Sequence, residues 1–341
     1  MADKLKAVLA GCGSMSGAWL HSAKANEYVE MVGLVDIREE AARKRKDEFG
    51  MEAASTGDDL ASMLKATKPD IVFDCTIPKA HVDVTLTALG HGCHVLGEKP
   101  MAENLEDARK MVDAAQHANR LYAVIQNRRY IPSIRALRAF LAEGTLGGIT
   151  AVDSDFYLGA HFGGFRDEMK HVLLCDMAIH TFDMGRFISA ADPVSVYCKE
   201  WNPSGSWYAH GASAVAIFEM SGGLVFTYRG SWCSEGMNTT WEGDWRVVCE
   251  KGSARWDGAD AIHAQIAGKR TGLVAGMEDL NVAIPKDGKP TGHAAIINEF
   301  VDCVQHGGIP QTICTDNIKS FAMVMAAIES AETGKAVEVK F

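Results

Sequence analysis

The sequence has no long hydrophobic run and no excess of positive charge. None of its apolar stretches approaches the ~20 residues that a membrane-spanning helix needs. Its 34 lysines and arginines are outnumbered by 44 aspartates and glutamates, which gives a formal charge of −10. Nucleic acids and anionic membranes attract basic surfaces. We therefore predict neither a nucleic-acid partner nor a membrane partner.

The sequence also lacks a paired-cysteine pattern and a targeting segment. Its nine cysteines are odd in number and include no C-x-x-C pair. This argues against a disulfide framework or a zinc ribbon and favours buried, reduced thiols. Residues 1–6 lead into a short apolar run without the pattern of a signal peptide. These absences predict a cytoplasmic protein, and 341 residues without a repeat or a long linker allow two domains.

The first third of the chain alternates short apolar runs with stretches that have one polar side. This alternation is typical of a parallel sheet with helices on both faces. It predicts the class α/β and an N-terminal Rossmann dinucleotide-binding domain over residues 1–126. The predicted strands are 5–10, 31–36, 71–75, 94–97 and 122–125, and the predicted helices are 38–49, 79–89 and 105–119.

After residue 126, strand-like runs follow one another without intervening helices, which favours an antiparallel sheet. We predict a second α/β domain over 127–341, for substrate binding and oligomerisation, with a large, open, mainly antiparallel sheet. Its predicted strands are 149–156, 194–199, 212–219, 223–231 and 245–249, with hairpin turns at 221–223 and 251–253. Its predicted helices are 133–143, 172–188, 294–306 and 316–333. Six of the seven tryptophans fall within 201–256; they suit sugar stacking or, as we favour, sheet and subunit packing.

A glycine-rich turn, G-C-G-S-M-S-G at 11–17, directly follows the first predicted strand. Gly11 and Gly13 permit a tight turn and a close backbone approach to a diphosphate, and Ser16 stands where a third glycine is usual. Asp36 ends the second strand, where a carboxylate binds ribose hydroxyls and repels a 2′-phosphate. Arg38, two residues later, could instead bind such a phosphate. We give the carboxylate more weight, so NAD is the predicted cofactor and NADP the less favoured one. The alternative is an ordinary glycine turn with a surface aspartate.

Three further motifs carry a family resemblance. They are T-I-P-K-A-H at 76–81, G-E-K-P at 97–100 and D-M-A-I-H at 176–180. With the glycine turn and the segments 126–130 and 144–149, they make the whole chain resemble the glucose–fructose oxidoreductase, inositol dehydrogenase and MocA (Gfo/Idh/MocA) family of NAD(P)-dependent oxidoreductases. In the family's turn the proline stands one place earlier.

The resemblance implies a role for each matching residue. It implies that Lys99 is the catalytic lysine, Asp176 a substrate-binding carboxylate and His180 the general base. The residues expected at the cofactor are Gly11, Cys12, Gly13, Ser14, Met15, Asp36, Ile37, Arg38, Thr76, Ile77, Pro78, His81, Glu98, Lys99 and Asn127. Lys99, Asp176 and His180 are also expected at the substrate. Two further candidates there, Arg166 and His171, come from their places shortly before D-M-A-I-H and not from a family motif.

The residue types fit this chemistry. Asp176 and His180 are four apart on a predicted helix and would share one face. A neutral imidazole can remove the hydroxyl proton when a hydride leaves a carbinol carbon, and the Lys99 cation can stabilise the developing alkoxide. The alternatives are a solvated turn lysine at 99 and a structural polar pair at 176 and 180.

One departure concerns the substrate. Relatives often have glycines before the leucine run, whereas this chain has Met169, Lys170 and His171. Lys170 and His171 therefore stand near the expected sugar site, where they could change which substrate fits.

The same segment raises the question of a metal site. On a helix His171 and Cys175 would share a face that is rotated away from Asp176 and His180. We therefore predict no metal site.

The sequence thus predicts an oxidoreductase that transfers a hydride between NAD and a secondary hydroxyl of a sugar, a sugar derivative or an inositol-like polyol. A small-molecule carbohydrate is the predicted partner. We expect a homodimer or homotetramer formed through the C-terminal sheet. One alternative is a glycoside hydrolase that uses bound NAD for transient sugar oxidation and elimination. Another is a non-catalytic dinucleotide sensor.

Overall fold

The computed structural model describes residues 4–270 and 272–341. The described chain divides into two compact units, residues 4–127 with Lys289–Ile318, and Arg128–Gly288 with Lys319–Phe341. The sequence places the first boundary at 126/127 but assigns 289–318 to the second domain, whereas in the structure this segment packs with the first unit. The signal-peptide prediction rests partly on residues 1–3, which lie outside the described residues.

Six parallel strands form the sheet of the first unit, in the order β3-β2-β1-β4-β5-β6. The order reverses between β1 and β4, and such a reversal creates the crevice in which doubly wound folds bind dinucleotides. The sequence predicted every strand except β3, whose residues S-T-G carry no apolar signal. The strands are β1 Leu5–Ala10, β2 Val29–Val35, β3 Ser55–Gly57, β4 Ile71–Asp74, β5 His94–Gly97 and β6 Tyr122–Val124.

Helices cover this sheet, and side-chain caps fix the start of two of them. Asp59 accepts a hydrogen bond from the backbone N–H of Ser62, and Asn104 accepts one from that of Asp107. The helices are α1 Ser16–Ala25, α2 Glu39–Glu48, α3 Leu60–Thr67, α4 Pro78–Gly90 and α5 Leu105–Ala118. A further helix from far along the chain, α8 Gly292–His306, packs on α1 and β5.

The second unit has a nine-stranded sheet in the order β14-β13-β12-β11-β7-β10-β9-β8-β15. Only β7 and β10 pair in parallel, so the predicted mainly antiparallel sheet is confirmed. The sequence did not predict β12 to β14, and it placed a turn where β12 begins. The strands are β7 Ile149–Tyr157, β8 Pro193–Trp201, β9 Ser213–Met220, β10 Val225–Ser231, β11 Asp244–Cys249, β12 Gly252–Trp256, β13 Ile262–Arg270, β14 Ala275–Asn281 and β15 Val337–Glu338. The helices of this unit are α6 Pro132–Ala142, α7 Ile179–Ser189 and most of α9, Cys314–Thr333.

Helix α7 covers one face of this sheet. Its Phe182 meets Phe218 and Tyr228 at ring-centroid distances of 4.8 and 5.3 Å. Gly185 makes the close approach possible, because a Cβ there would lie 2.7 Å from the ring of Phe226. The inward residues of β9 and β10 are buried, while Tyr197, Trp201, Ile217 and Val225 are 39–47% exposed.

The tryptophans follow the same division. Trp232, Trp245 and Trp256 are fully buried, whereas Trp201 and Trp241 are 42% and 48% exposed. Packing inside the second unit therefore explains three of the six tryptophans between residues 201 and 256. Within the described ranges, no helix combines the length and the apolar character needed to cross a membrane.

A buried ion pair joins the start of the second unit to α7. Arg129 donates to both carboxylate oxygens of Asp183 at 2.6 and 2.5 Å, and Ser320 donates to the same carboxylate at 2.7 Å. Both side chains are less than a tenth exposed. Removing one partner of such a pair is costly because the remaining charge stays buried.

We expect Asp183→Asn to lower the free energy of unfolding by about 3–5 kcal/mol, since it removes the charge that faces Arg129. The control is Glu39→Gln, which breaks the exposed Arg43–Glu39 pair on α2 and should cost about 0.5 kcal/mol or less. Urea denaturation of both variants measures the difference. Equal, small losses would contradict the structural role of Asp183.

Candidate cofactor and substrate sites

The glycine turn after β1 has room for a diphosphate. Gly11 has φ +87°, and a Cβ there would lie 2.6 Å from the backbone of Cys75, so no other residue fits. A Cβ at Gly13 would meet nothing within 4 Å, so this part of the turn is open. Helix α1 starts at Ser16 and directs its N-terminus toward the turn. The turn therefore fits the diphosphate of a dinucleotide.

Two donors hold the carbonyl of Gly13. Ser16 Oγ donates to it at 2.6 Å, and Arg45 Nη2 on α2 donates to it at 2.8 Å. Ser16, in the place of the third glycine, is fully buried and thus packs closely while also bonding the turn. Sequence reasoning missed Arg45, because its position on a charged surface helix gives no sign of a contact 32 residues away.

Asp36 follows β2 with its carboxylate fixed in place. One oxygen accepts from the backbone N–H of Cys12 and the other from that of Arg38, both at 2.9 Å. Each oxygen can accept further bonds, so ribose hydroxyls still find acceptors here. Burial, together with the Asp36 carboxylate, raises the pKa of the Cys12 thiol to about 12. An open cavity of about 340 Å³ adjoins this point, lined by Cys12, Arg38, Glu40, Ala41, Lys44 and Arg45.

The predicted turn after β4 is organised by a fully buried carboxylate. Asp74 accepts from the Thr76 backbone N–H at 3.0 Å and from its hydroxyl at 2.5 Å. The other oxygen of Asp74 lies 2.9 Å from His81 Nδ1. Burial lowers the pKa of His81, but the Asp74 carboxylate outweighs it and the net shift is upward. Thr76 and His81 therefore hold the turn, while Ile77 is 66% exposed and Pro78 begins α4.

The E-K-P motif follows β5. Glu98 is buried, accepts from the Trp19 indole N–H at 2.8 Å and accepts from the Lys99 backbone N–H at 3.0 Å. Asn127, just after β6, contacts His293 at 3.2 Å. Sequence reasoning missed His293, which reaches this position from the start of α8, far along the chain, and no motif marks it.

In the second unit, Arg166 fixes the carboxylate of Asp176. Its Nε donates to Asp176 Oδ2 at 2.9 Å, and its Nη2 lies 3.5 Å from Oδ1. The guanidinium also lies 4.9 Å from the ring centroids of Phe162 and Phe165. Arg128, which sequence reasoning did not single out, is partly exposed and donates to the carbonyl of Trp241. Arg128 also interacts electrostatically with Asp176, while Arg166 supplies the hydrogen bonds that fix its carboxylate.

The local helix differs from the prediction. A π-helical turn, Leu173–Ala178, precedes α7, so the single α-helix predicted over 172–188 is wrong at its start. Asp176 lies in the π-turn and His180 in the first turn of α7, and π-turns are frequent at functional sites. The two side chains remain four residues apart across this junction, and both are partly exposed.

His171 lies before the π-turn with φ +52°. It therefore does not share a helical face with Cys175, as the sequence had suggested. Its Nδ1 is 2.6 Å from Glu200, and its Nε2 is 3.4 Å from Glu332. These carboxylates, Glu200 first, raise the pKa of His171, and its neighbour Lys170 is exposed. Across residues 4–270 and 272–341, no group of three or more histidines, cysteines and carboxylates could hold a metal ion.

Both halves of the chain match models of one family. Residues 5–126 match the model described as an oxidoreductase family with an NAD-binding Rossmann fold, and residues 134–255 match the GFO/IDH/MocA C-terminal domain. The chain belongs to the Gfo/Idh/MocA oxidoreductase family. The predicted family, the predicted fold class and the predicted NAD cofactor are thereby confirmed.

Relatives align over nearly the whole chain. D-apiose dehydrogenase of Paraburkholderia graminis is 27% identical over 99% of this chain and 90% of its own. The 1,5-anhydro-D-fructose reductase of Ensifer adhaerens is 25% identical over 97% and 98%. An oxidoreductase from Agrobacterium radiobacter, solved in complex with NAD+, L-tartaric acid and magnesium, has a TM-score of 0.86 at 23% identity, with 98% of both chains covered. This last likeness concerns the fold.

We expect Asp36→Ser to weaken NAD binding by about tenfold or more and NADP binding less, because losing charged hydrogen bonds costs about 1.5–3 kcal/mol and the change removes a neighbour that repels a 2′-phosphate. Titration of protein fluorescence with both nucleotides measures the ratio. Asp113→Ser, which removes the same charge from an exposed position on α5, is the control. An unchanged NAD/NADP ratio in Asp36→Ser would remove Asp36 from the ribose site.

Proposed function

We propose that the protein catalyses reversible hydride transfer between NAD and a secondary hydroxyl of a sugar, a sugar derivative or an inositol-like polyol. The observation that carries this proposal is the carboxylate of Asp176, fixed by Arg166 four residues before His180, in a chain with a dinucleotide-binding turn. Such a carboxylate suits a ligand rich in hydroxyl groups. The two relatives named above as acting on a sugar and on an anhydrosugar support the same class.

NAD, when bound, supplies the acceptor or donor of the hydride. We propose that the turn with the open Gly13 holds the diphosphate and that Asp36 holds the adenosine ribose. The other residues proposed to contact it are Cys12, Ser14, Met15, Ile37, Arg38, Thr76, Ile77, Pro78, Glu98, Lys99 and Asn127. His81 contributes through Asp74 and Thr76, since its ring is buried against that carboxylate.

Lys99 stabilises negative charge on the substrate oxygen. Its backbone N–H is held by the carboxylate of Glu98, so the start of the side chain is fixed. A cation fixed beside the substrate oxygen stabilises the transition state, in which that oxygen becomes negative, more than it stabilises the bound neutral alcohol. Lys99 therefore accounts for much of the rate enhancement in the proposed mechanism.

Asp176 binds and orients substrate hydroxyls, and Arg166 holds its carboxylate in place. Arg166 has more N–H donors than its contacts with Asp176 use, so it can also donate to the substrate. His180 accepts the hydroxyl proton during oxidation. His171 faces two carboxylates, so we propose that it acts by fixing the entry to the π-turn.

Two exposed aromatic side chains, Phe162 and Phe165, lie against Arg166, and a third, Trp241, lies 6.4 Å from Phe162 between ring centroids. Phe162, Phe165 and Trp241 are 41%, 70% and 48% exposed, and flat aromatic faces suit the apolar faces of sugar rings. The ring of Phe162 packs edge-on against the ring of the buried Trp232, with 5.2 Å between the ring centroids. We propose that this group covers one side of the bound carbohydrate.

We further propose a homodimer or homotetramer formed through the open sheet face and an action in the cytoplasm. The exposed apolar residues of that face, Tyr197, Trp201, Ile217 and Val225, support the first point. The second is supported by nine cysteines that form no disulfide and are mostly buried.

NADH formation with a panel of inositols, aldoses, anhydrosugars and acidic sugars tests the proposal. We expect net NADH with at least one free sugar or polyol. Cleavage of an aryl glycoside without accumulation of NADH would instead support the hydrolase. Tight NAD binding with no turnover across the panel would support a sensor.

We expect Lys99→Met to reduce kcat by roughly 10²–10³, the scale for losing one oriented donor to an oxyanion, and to change NADH affinity much less than kcat. Lys65→Met, at an exposed position on α3, is the control and should behave like the parent. Steady-state kinetics and NADH titration give both values. Near-parental kcat in Lys99→Met would exclude Lys99 from the chemistry.

We expect His180→Ala to reduce kcat for alcohol oxidation by roughly 10²–10⁴, as for other general bases. An imidazole must be neutral to accept a proton, and ordinary histidines titrate near pH ~6.5. The oxidation rate of the parent should therefore rise with pH through the neutral range, and this acid limb should vanish in the variant. His117→Ala, exposed on α5, should keep the parental profile. A retained limb with most of the rate would place the base elsewhere.

A further inference from the structure

A buried carboxylate connects Lys99 to the core of the first unit. Glu98 is 8% exposed, and its Oε1 accepts from the Trp19 indole N–H while its Oε2 accepts from the Lys99 backbone N–H. Burial raises the pKa of Glu98, but the contacts with His293 and Trp19 and the Lys99 cation outweigh it and the net shift is downward. Glu98 is therefore ionised, and its orientation sets the backbone from which Lys99 extends.

His293 is the third side chain at this carboxylate. Its Nε2 lies 3.9 Å from Glu98 Oε1, and its Nδ1 lies 3.2 Å from the side-chain nitrogen of Asn127. The amide nitrogen donates in this contact and Nδ1 accepts, which leaves Nε2 as the ring nitrogen that faces the carboxylate. The Trp19 ring, 6.3 Å away and edge-on, limits the movement of the imidazole.

We propose that His293 is a positioning residue that ties the turn carrying Lys99 to Asn127. These residues follow β5 and β6, in the half of the sheet opposite the Asp36 half across the switch point between β1 and β4. In doubly wound folds the two halves each bind one mononucleotide. His293 therefore acts on the nicotinamide half. The inference rests on the proposed role of Lys99 and adds a residue from the last sixth of the chain.

This placement predicts a separation of effects. Loss of the imidazole removes one of the three groups at the Glu98 carboxylate and the partner of Asn127, so we expect Lys99 and Asn127 to shift. The glycine turn and Asp36 should stay unchanged. Turnover and the environment of the nicotinamide should change, while the affinity for the adenosine half should not. A side chain that only filled space would change thermal stability and all ligands together.

The test compares His293→Ala, His293→Gln and His293→Asn. We expect His293→Ala to lower kcat roughly 10- to 100-fold, the scale of a small misplacement of reacting groups, with ADP-ribose affinity within about twofold of the parent. The Gln side chain brings its amide N–H near the position of Nε2 and should recover much of kcat, whereas Asn mimics the Nδ1 side and should recover less. His306→Ala, exposed at the other end of α8, is the control.

Two results of this comparison would overturn the inference. One is a kcat for His293→Ala that equals the parental value. The other is a parallel loss of ADP-ribose affinity, NADH affinity and melting temperature that Gln does not reverse.

NADH fluorescence distinguishes a failure of this inference from a failure of the proposed function. If the parent turns over no carbohydrate, the proposed function fails, but the emission of bound NADH still reports the nicotinamide environment. We expect His293→Ala to change that emission and to weaken NADH relative to ADP-ribose, with His293→Gln closer to the parent. Unchanged emission and an unchanged affinity ratio would overturn the role of His293 on their own.

Discussion

The first unit depends on the close approach of two backbone segments at its centre. Gly11 lies so near the end of β4 that even a methyl group would overlap the carbonyl of Cys75. This contact brings the glycine turn against the segment that follows Asp74. From there the sheet extends toward Asp36 on one side and toward Glu98 on the other, so the proposed cofactor contacts are placed by a single steric constraint.

Buried or half-buried carboxylates then fix the irregular backbone at the site. Asp74 shapes the turn before α4, Glu98 the turn of Lys99, and Asp36 the segment after β2. In each case backbone N–H groups are the donors, which offsets the cost of removing the charge from water. In the second unit, arginine provides the same compensation to Asp176 and Asp183. Each of these acidic residues therefore has an identified structural role, in addition to any role in catalysis.

Much of the fold was predictable because its signals are local. The apolar runs of β1, β2, β4 and β5 alternate with amphipathic stretches, and this pattern requires a parallel sheet. Strand β14 was not predictable, because it is an edge strand with mostly exposed residues and no apolar alternation. The start of the helix before His180 was wrong because no sequence pattern separates a π-turn from an α-helix. Lys99 and Asp176 were expected through a family resemblance, whereas Arg45 and His293 act over long sequence separations that leave no motif.

The path of the chain has a consequence for biosynthesis. The first unit is discontinuous, since α8 belongs to it but is translated after eight of the nine strands of the second unit's sheet. While the ribosome is still adding residues 128–288, the surface of α1 and β5 that α8 will cover is exposed. The dinucleotide-binding unit is therefore finished late, and a nascent chain that stops before Gly292 lacks both this cover and the imidazole beside Glu98. The proposed cofactor site is thus completed only after strands β7 to β14 of the second unit have been synthesised.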